Sequence, residues 1–477
     1  MKKIIFLTII LFFLILNLFC NEKNNILKLT IDEAVSLSLQ KNLDIKIENL
    51  SFDEKKWALA TSWNKVIPSV KMSTRLSTVN KNVLDNAFDE IKDTYKENGI
   101  HLSDSDVYDT DEWENVKKGS VSAELGLYID LNAKIIFEIR KTVLDWQVGK
   151  ISIEIAKKKL EKEIKKNYYN LKLLKENILI KEKSLQTAKN RYDIAKLKYK
   201  NGIINEIENL NAEYSYEKIK PQLIEIKNSY ENAMLEFKLM LGIKENIEVE
   251  LISNMDNMNK YEFDEKSISL KYLNNNLEVK KIEGEIRLEK NNRNIYISEL
   301  TPTLSFSFST DATYQKSDPF GKDNHWFYNI NDDWKEEFGN FTFTVSIPLS
   351  SFAPFSKEQM NIVISSYEIE KKKLFLEQTR LNKELEIKKI IRKINKNNEL
   401  LESLKLNVTI TEKVYNLAER SFKEGAKTLL EVEDAENNMN NAKLELLQAK
   451  YDYLSAIYDI EYIIDTKINE LIKSMNN

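Results

Sequence analysis

The feature that most constrains this chain is an internal duplication centred on two glycines. Gly425 lies 223 positions after Gly202, and the same interval joins Tyr192 to Tyr415. A fixed interval that recurs over a long stretch indicates two copies of one structural unit. The chain has only ten glycines in 477 residues. A glycine between two strongly periodic segments therefore predicts, in each copy, a turn that joins two long helices.

The composition favours long helices with solvated faces. Charged residues make up 31 % of the chain, whereas it has only 10 glycines and 6 prolines. A formal net charge of −4 gives no general attraction for nucleic acid. One cysteine excludes an internal disulfide framework, and two histidines leave little for a metal site built from His and Cys. We therefore expect no nucleic-acid partner, no metal site and no cofactor.

The N-terminus has the layout of a secretory signal. Lys2 and Lys3 precede an unbroken apolar run from Ile4 to Leu16, which is too short for a comfortable membrane-spanning helix. Residues 1–20 are therefore predicted to be a signal peptide. Cys20 is a candidate for lipidation, but the residues before it lack the expected small side chain. Lipidation and plain cleavage both stay open.

The first copy begins with helices and continues into a β-hairpin. One helix is predicted from about Leu43 to Val66. Residues 70–76 and 121–129 alternate between apolar and polar side chains, which predicts two strands of a hairpin over about 67–131. Between the strands, residues 82–118 carry eleven acids and four lysines and are predicted to form a solvated loop.

A long helix follows the hairpin, from about Leu131 to Asn201. Its roughly 70 residues would extend about 105 Å at 1.5 Å per residue. A heptad seam in its later part predicts left-handed packing against other helices. The alternative is that this stripe is only the core of an ordinary antiparallel coiled coil. The seam comprises Leu171, Leu174, Ile178, Lys181, Leu185, Ala188, Tyr192, Ala195 and Tyr199. After the turn at Gly202, a return helix is expected to reach Leu241.

The second copy repeats this plan with a shorter hairpin, over about 303–349. A helix from about Ser356 leads into the turn at Gly425, and a return helix reaches about Ile464. Pro348 closes the last strand, whereas Asp130 stands at the matching place in the first copy. The predicted boundaries are 21–242 for the first copy, 243–267 for a connector, 268–466 for the second copy and 467–477 for a tail.

Each half supplies two strands of about ten residues with one apolar and one polar face. This length and alternation are typical of outer-membrane barrel strands. Four strands cannot enclose a pore, so closure would need several chains. The alternative is a soluble sandwich in which the apolar faces pack on each other. The secretory start and the Ser/Thr-rich faces favour the membrane.

The order of these motifs resembles the TolC family of outer-membrane efflux and secretion ducts, over essentially the whole mature chain. The motifs that carry the resemblance are Leu29–Ala34, Asn42–Asp44, Pro68 before a strand, and Gly425–Ala435 followed by Asn441–Leu446. The resemblance implies a homotrimer in the outer membrane, in contact with its lipid. Three chains would form one twelve-stranded barrel and an α-helical tunnel through the periplasm. Its partners would be a periplasmic adaptor protein and an inner-membrane pump of the RND or ABC type.

The resemblance also implies roles for residues near the two turns. Lys427 and Phe422 occupy the positions from which the family links its closed entrance to an acid, here Glu208. Phe422 departs from the family pattern because it has no hydroxyl group to donate. Glu431 and Asp434 match a constriction ring that would attract cations in a trimer. Their alternative role is that of surface acids favoured by a helix dipole.

The resulting hypothesis is a passive trimeric conduit whose entrance opens when the helical hairpins separate. An adaptor would dock at the turns around Gly202 and Gly425. The rival hypothesis is an exported periplasmic coiled-coil scaffold or adaptor without a pore. A hydrolase is a poor third option, because His101 and His325 lie in acidic loops with no obvious nucleophile beside them. The exported substrate is not encoded in these features.

Overall fold

The computed structural model describes residues 26–77, 81–108, 119–255, 273–316 and 334–471, together with positions 260, 261, 263 and 268. The predicted signal peptide with Cys20 and the loop residue His325 lie outside these described residues. The described helices are α1 (Ile31–Lys41), α2 (Leu43–Ala60), α3 (Lys81–Glu97), α4 (Asp104–Tyr108), α5 (Ala133–Lys200), α6 (Glu206–Leu241), α7 (Leu277–Ser298), α8 (Lys357–Lys423) and α9 (Leu429–Ile464). The described strands are β1 (Leu27–Leu29), β2 (Ser69–Ser77), β3 (Gly119–Leu131), β4 (Val249–Leu251), β5 (Thr303–Lys316) and β6 (Trp334–Ser346).

Both predicted helical hairpins are confirmed. Helix α5 has 68 residues and α8 has 67, and each is followed, after a short glycine turn, by a helix of 36 residues. At 1.5 Å per residue, each long helix corresponds to about 100 Å. The matching lengths agree with the duplication read from the sequence.

The four longer strands form one antiparallel sheet in the order β2-β3-β5-β6. Both predicted β-hairpins are confirmed, and the pairing of β3 with β5 joins them. Leu127 lies opposite Val70 on one side and opposite Phe308 on the other, and Phe308 in turn lies opposite Phe341. Because side chains alternate along a strand, this register gathers the apolar positions of all four strands on one face.

The apolar face of the sheet is exposed. Val70, Met72 and Phe341 expose 67 %, 76 % and 67 % of their surfaces. In a sandwich, a second sheet would cover such a face. The exposed side chains therefore argue against the soluble-sandwich interpretation, and they form an apolar surface of the kind that marks contact with a membrane or another protein.

The prediction of a solvated loop over 82–118 is wrong in its first part, where the structure has α3 and α4. An apolar stripe of α3 packs against the fully buried Val107 of α4. The stripe residues recur at helical spacing and are Leu84, Phe88, Ile91 and Tyr95. Counting net charge concealed this stripe, because an amphipathic helix carries its charges on the opposite face. Residues 109–118 lie outside the described part of the chain.

Two other elements differ from the prediction. Helix α2 ends at Ala60, and a 3₁₀ helix covers Ser62–Val66. The predicted connector contains β4, which pairs in parallel with β1. The alternation of residues in β4 is visible in the sequence, but it does not identify the partner strand. That partner, β1, lies far away in the sequence, near the start of the first copy.

The chain passes from β3 into α5 through a single residue, Asn132. Its side-chain oxygen accepts a hydrogen bond from the backbone N–H of Ile135 at 3.3 Å, so Asn132 acts as a helix cap. The second copy instead uses Pro348, a 3₁₀ helix at Leu349–Phe352 and Ser356 before α8 begins. An asparagine cap thus serves the first copy, which lacks the proline.

The chain divides into two compact units. One comprises Met1–Lys56, Asp145–Ile286 and Lys371–Asn477, and the other comprises Trp57–Leu144 and Arg287–Glu370. The second unit holds the four-stranded sheet. Its α5 portion contacts α7 through an ion pair of Lys134 with Glu299 at 2.8 Å. Its α7 portion contacts α8 where Ser365 donates to Glu289 at 3.3 Å.

The first unit holds the principal apolar cores. One core surrounds the fully buried Tyr168 and Phe237, and another surrounds Ile391, Tyr453 and Ile460. The hydroxyl of Tyr168 donates to the carbonyl of Leu29 at 2.8 Å, which ties α5 to β1. No helix in the described part of the chain combines the length and apolar character needed to cross a membrane.

Candidate functional site

The two glycine turns have the same hydrogen bonds. Gly202 N–H donates to Tyr199 at 2.9 Å and Gly425 N–H donates to Phe422 at 3.0 Å, while the next residue in each turn donates five positions back. This is the Schellman ending of a helix. Gly202 and Gly425 have φ values of +70° and +80°, which glycine adopts without strain. The duplication therefore extends to the backbone of both turns.

Glu208 and Glu431 occupy the same place in the two copies, although the sequence analysis assigned them different roles. Each lies at the third position of a helix whose cap, Asn205 or Thr428, accepts a hydrogen bond from the glutamate's backbone N–H. The Glu431 carboxylate also accepts from the backbone N–H of Thr428 at 2.8 Å and from its hydroxyl at 3.1 Å. These two contacts, backbone first, lower the pKa of Glu431. Glu431 thus completes a capping box.

Lys427 lies beside Glu431 in the same turn. Its Nζ is 3.4 Å from Glu431 Oε1, and both side chains are exposed. An exposed pair of this kind contributes little to stability. The predicted link of Lys427 to Glu208 is not a contact of the described chain and stays a prediction for the assembled protein.

Phe422 packs inside the helical hairpin. It lies against a small core formed by Ala418, Val432 and Ala435, together with Tyr415. These residues belong to the end of α8 and the start of α9. Burial of the ring gives Phe422 a packing role that needs no hydroxyl group.

Acidic residues are concentrated in the first turns of α9. Asp434 is exposed, as Glu431 is. Glu433 is partly buried and accepts a hydrogen bond from Ser215 Oγ of α6 at 2.8 Å. Burial raises the pKa of Glu433, more than the bond from Ser215 lowers it. Glu431 and Asp434 are open to solvent, although Glu431 also takes part in the helix cap, whereas Glu433 belongs to a contact between helices.

A buried ion pair joins the two copies close to the turns. Arg191 of α5 and Glu436 of α9 are each only 11 % exposed in their side chains, with 2.6 Å between Nη1 and Oε2. Arg191 Nη2 also lies 3.5 Å from the hydroxyl of Tyr415. Further along α9, Asn440 donates to Ser184 of α5 at 2.9 Å. Polar contacts thus continue along the α5–α9 interface.

No sequence pattern singles out the interface residues Arg191, Glu436, Glu433 and Ser215. Four acids within Glu431–Glu436 are visible in the sequence. Which of these acids are buried depends on where α5 and α6 pack against α9. The spacing of the acids within α9 does not reveal this. The histidine His101 is exposed in the described chain, and no described group of His, Cys, Asp and Glu is arranged to hold a metal ion.

The raised pKa of Glu433 gives a testable pH dependence. A carboxyl whose folded-state pKa is raised adds stability below its unfolded pKa and loses it as pH rises through the folded value. Glu433→Gln should therefore raise the unfolding temperature at neutral pH and leave it nearly unchanged at a pH below the ordinary carboxyl range. Glu399→Gln, at an exposed position of α8, is the matched control. An equal effect at both pH values would contradict this account.

The comparisons with known proteins agree with this architecture. The family model described as outer membrane efflux protein matches residues 270–463, within the second copy. A comparison with curated proteins gives no match. The outer membrane channel CmeC of Campylobacter jejuni has a TM-score of 0.73 at 15 % identity, over 93 % of this chain and 88 % of that chain.

Two other solved channels are similar over nearly their whole length. The outer membrane protein VceC of Vibrio cholerae has a TM-score of 0.68 at 13 % identity, over 92 % of this chain and 96 % of that chain. The open-state MtrE outer membrane channel of Neisseria gonorrhoeae has a TM-score of 0.67 at 11 % identity, over 91 % and 89 %. The chain therefore has the fold of outer-membrane channel proteins.

Proposed function

We propose that three copies of this chain form an outer-membrane channel that continues as a helical duct into the periplasm. The chain acts as a passive conduit and not as an enzyme. One observation carries the proposal: an exposed apolar sheet leads into helices whose outermost members carry exposed apolar seams. A single chain leaves all of these surfaces in contact with water, whereas a ring in a membrane would cover them.

The helices of the first unit have a definite order of neighbours near the turns. Helix α6 contacts α5 through Lys227 and Glu182 at 2.6 Å. Helix α5 contacts α9 through Arg191, and α9 contacts α8 through Lys443 and Glu412 at 2.7 Å. The order is α6-α5-α9-α8, with α9 also touching α6 through Ser215 and α5 also touching α8 through Arg191 and Tyr415. Helices α6 and α8 are thus the two outer helices.

Both outer helices carry exposed apolar residues at heptad spacing. On α6 these are Ile207, Leu210 and Tyr214, and on α8 they are Ile410, Val414 and Leu417. In a ring, α6 of one chain would pack against α8 of the next and bury both seams. The two surfaces differ, so the contact is heterologous, and a rotation of 120° per chain would close three such contacts into a ring.

Charge supports the same pairing. Helix α6 begins with the acids Glu206 and Glu208, and α8 ends with the bases Arg420 and Lys423. The first turn of α6 and the last turn of α8 both lie beside a glycine turn. Opposite charges would therefore meet at the same level of the joint.

The turns face the proposed entrance of the duct. Glu431 and Asp434 of three chains would place six exposed carboxylates around it and favour cations. A periplasmic adaptor would dock around Gly202 and Gly425 and connect the duct to an inner-membrane pump of the RND or ABC type. The resemblance to the TolC family supports these partners, which are part of the proposal.

The proposal is tested by electrophysiology of the purified protein. The unmodified protein should migrate as a heat-sensitive trimer and form channels in planar bilayers. Glu431→Gln with Asp434→Asn should leave the trimer intact and weaken both cation preference and block by multivalent cations, because glutamine keeps a polar group at the cap without the charge. The control Glu231→Gln with Glu236→Gln removes two exposed charges from α6 and should leave selectivity unchanged.

Different results separate the alternatives. A soluble monomer with no conductance would support the exported scaffold and overturn the channel. Channels with unchanged selectivity in the Glu431 and Asp434 variant would remove only the entrance assignment.

A further inference from the structure

The polar face of the four-stranded sheet carries an aromatic ring that lies along its own strand. Tyr128 and Gly126 are two positions apart in β3, so both face the same side of the sheet. The register places Gly126 between Lys71 of β2 and Ser309 of β5, on the face opposite the apolar one. Gly126 is buried, because the ring of Tyr128 covers it.

The ring occupies the space that a side chain at Gly126 would need. A Cβ atom at this position would lie 2.5 Å from the Tyr128 hydroxyl oxygen and 2.6 Å from its Cζ, whereas carbon atoms pack at about 3.5–4.0 Å. The atoms that it would meet belong to the far end of a side chain that can rotate. Gly126 lies within the continuous strand β3 and has no positive φ. An added methyl group would therefore displace the ring and leave the backbone in place.

Three side chains hold the ring in this position. The hydroxyl of Tyr128 donates to Glu124 Oε1 at 2.5 Å, and Ser73 Oγ donates to the other carboxylate oxygen at 3.2 Å. Glu124 lies four positions before Tyr128 on the same face, so the ring must extend over Gly126 to reach it. The Nζ atom of Lys71 is 5.2 Å from the ring centroid, within the range of a cation–π contact. The ring is thus fixed at its hydroxyl end and on its exposed side.

The orientation of this ring matters if the sheet forms part of a barrel. In the proposed channel, the polar face of the sheet would line a water-filled lumen. Strand number and shear set the diameter of a barrel, and the side chains inside it occupy part of that space. Three copies of Tyr128 would lie at one level of the lumen. Rings that lie along the wall leave this level open, whereas rings that stand away from the wall would narrow it.

We infer that Gly126 and Tyr128 determine the width of solute that the barrel admits. The recess at Gly126 lets the ring lie along the wall, and any larger residue there turns the ring into the lumen. The inference rests on the proposed channel function and adds a size limit to it. This limit is set by uncharged groups within the barrel and is separate from the carboxylates assigned to the entrance.

Neutral polymers in planar-bilayer recordings test the inference. Poly(ethylene glycol) of graded size is added on the side of the barrel, and the largest polymer that still lowers the conductance gives the width of the lumen. Gly126→Ala should reduce this limiting polymer radius by about 1.3-fold or more, because three rings then project inward. Gly126→Ala with Tyr128→Ala should restore the limit, since the atoms that the methyl group would meet are then gone. A neutral polymer makes the result independent of the charges of Lys71 and Glu124.

The apolar face of the same sheet offers a matched control. A Cβ atom at Gly339 of β6 would also meet the end of an aromatic ring, that of Phe308. Phe308 lies opposite Leu127 and Phe341 on the apolar face. Gly339→Ala therefore creates the same kind of clash outside the proposed lumen and should leave the limiting polymer radius unchanged.

Each result decides the inference. An unchanged limit in assembled Gly126→Ala, or an equal reduction in Gly339→Ala, would overturn it. If only the variant that also carries Tyr128→Ala assembles as a trimer, the ring cannot turn into the lumen and the inference is wrong. If neither variant assembles, the space at Gly126 serves something other than the ring, which also contradicts it. Absence of any channel in the unmodified protein would instead refute the proposed function.

Discussion

Replacing Arg191 by methionine is expected to lower the free energy of unfolding by about 3–5 kcal/mol, because it leaves the Glu436 carboxylate buried without a partner. Methionine retains much of the apolar stem, so the change mainly removes the guanidinium group. The cost is measured by chemical unfolding of the purified protein in detergent, followed by the helical circular dichroism signal.

Two variants show whether burial of the pair is responsible. Lys427→Met breaks the exposed pair with Glu431 and should cost less than about 1 kcal/mol. Replacing Arg191 and Glu436 together by methionine and leucine should recover most of the lost stability, since no unpaired charge then remains. If Arg191→Met lowers the free energy of unfolding no more than Lys427→Met does, the ion pair of Arg191 with Glu436 does not stabilise the contact between the two copies.

Replacing Phe341 by arginine is expected to prevent most of the protein from inserting into the outer membrane. Phe341 lies on the exposed apolar face of the sheet, opposite Phe308. An arginine on the lipid face of a barrel costs about 2–4 kcal/mol near the bilayer midplane. The measurement is the fraction of full-length chain recovered as heat-modifiable trimer in outer-membrane fractions.

The neighbouring residue provides the control. Thr342 follows Phe341 in β6, and its side chain therefore lies on the opposite, polar face. Thr342→Arg introduces the same charge one position away and should insert normally. Equal insertion of both variants would contradict the lipid-facing assignment, and equal failure would show that β6 tolerates arginine on neither face.

The sequence predicts the repeated plan well because its signals are local and occur twice. Glycine at a helix end, period-two alternation and heptad seams each depend on neighbouring residues. The turn at Gly425 and the strand carrying Phe341 therefore lie where their patterns place them. Helix α3 is not predicted, because the many acids of its segment indicate a solvated loop. They conceal the apolar stripe that contains Phe88 and Ile91.

The candidate site is less predictable because its contacts cross between helices. Arg191 and Glu436 lie 245 positions apart in the chain, and neither belongs to a recognisable motif. The capping role of Glu431 is local and is visible in the spacing of Thr428 and Glu431. The same carboxylate can cap α9 and contribute negative charge to the proposed entrance. The position of Glu431 in the sequence therefore does not distinguish between these two roles.

The exposed apolar sheet also makes the unassembled chain prone to aggregation. In the proposed channel, a newly exported copy would carry unpaired edge strands and an uncovered apolar face, which are the features that drive aggregation. The edge strand β2 places Lys71 and Arg75 among its alternating residues, and charges at such positions disfavour pairing with a wrong strand. The proposed channel would therefore require a short interval between export and assembly, or a chaperone that covers the sheet during that interval.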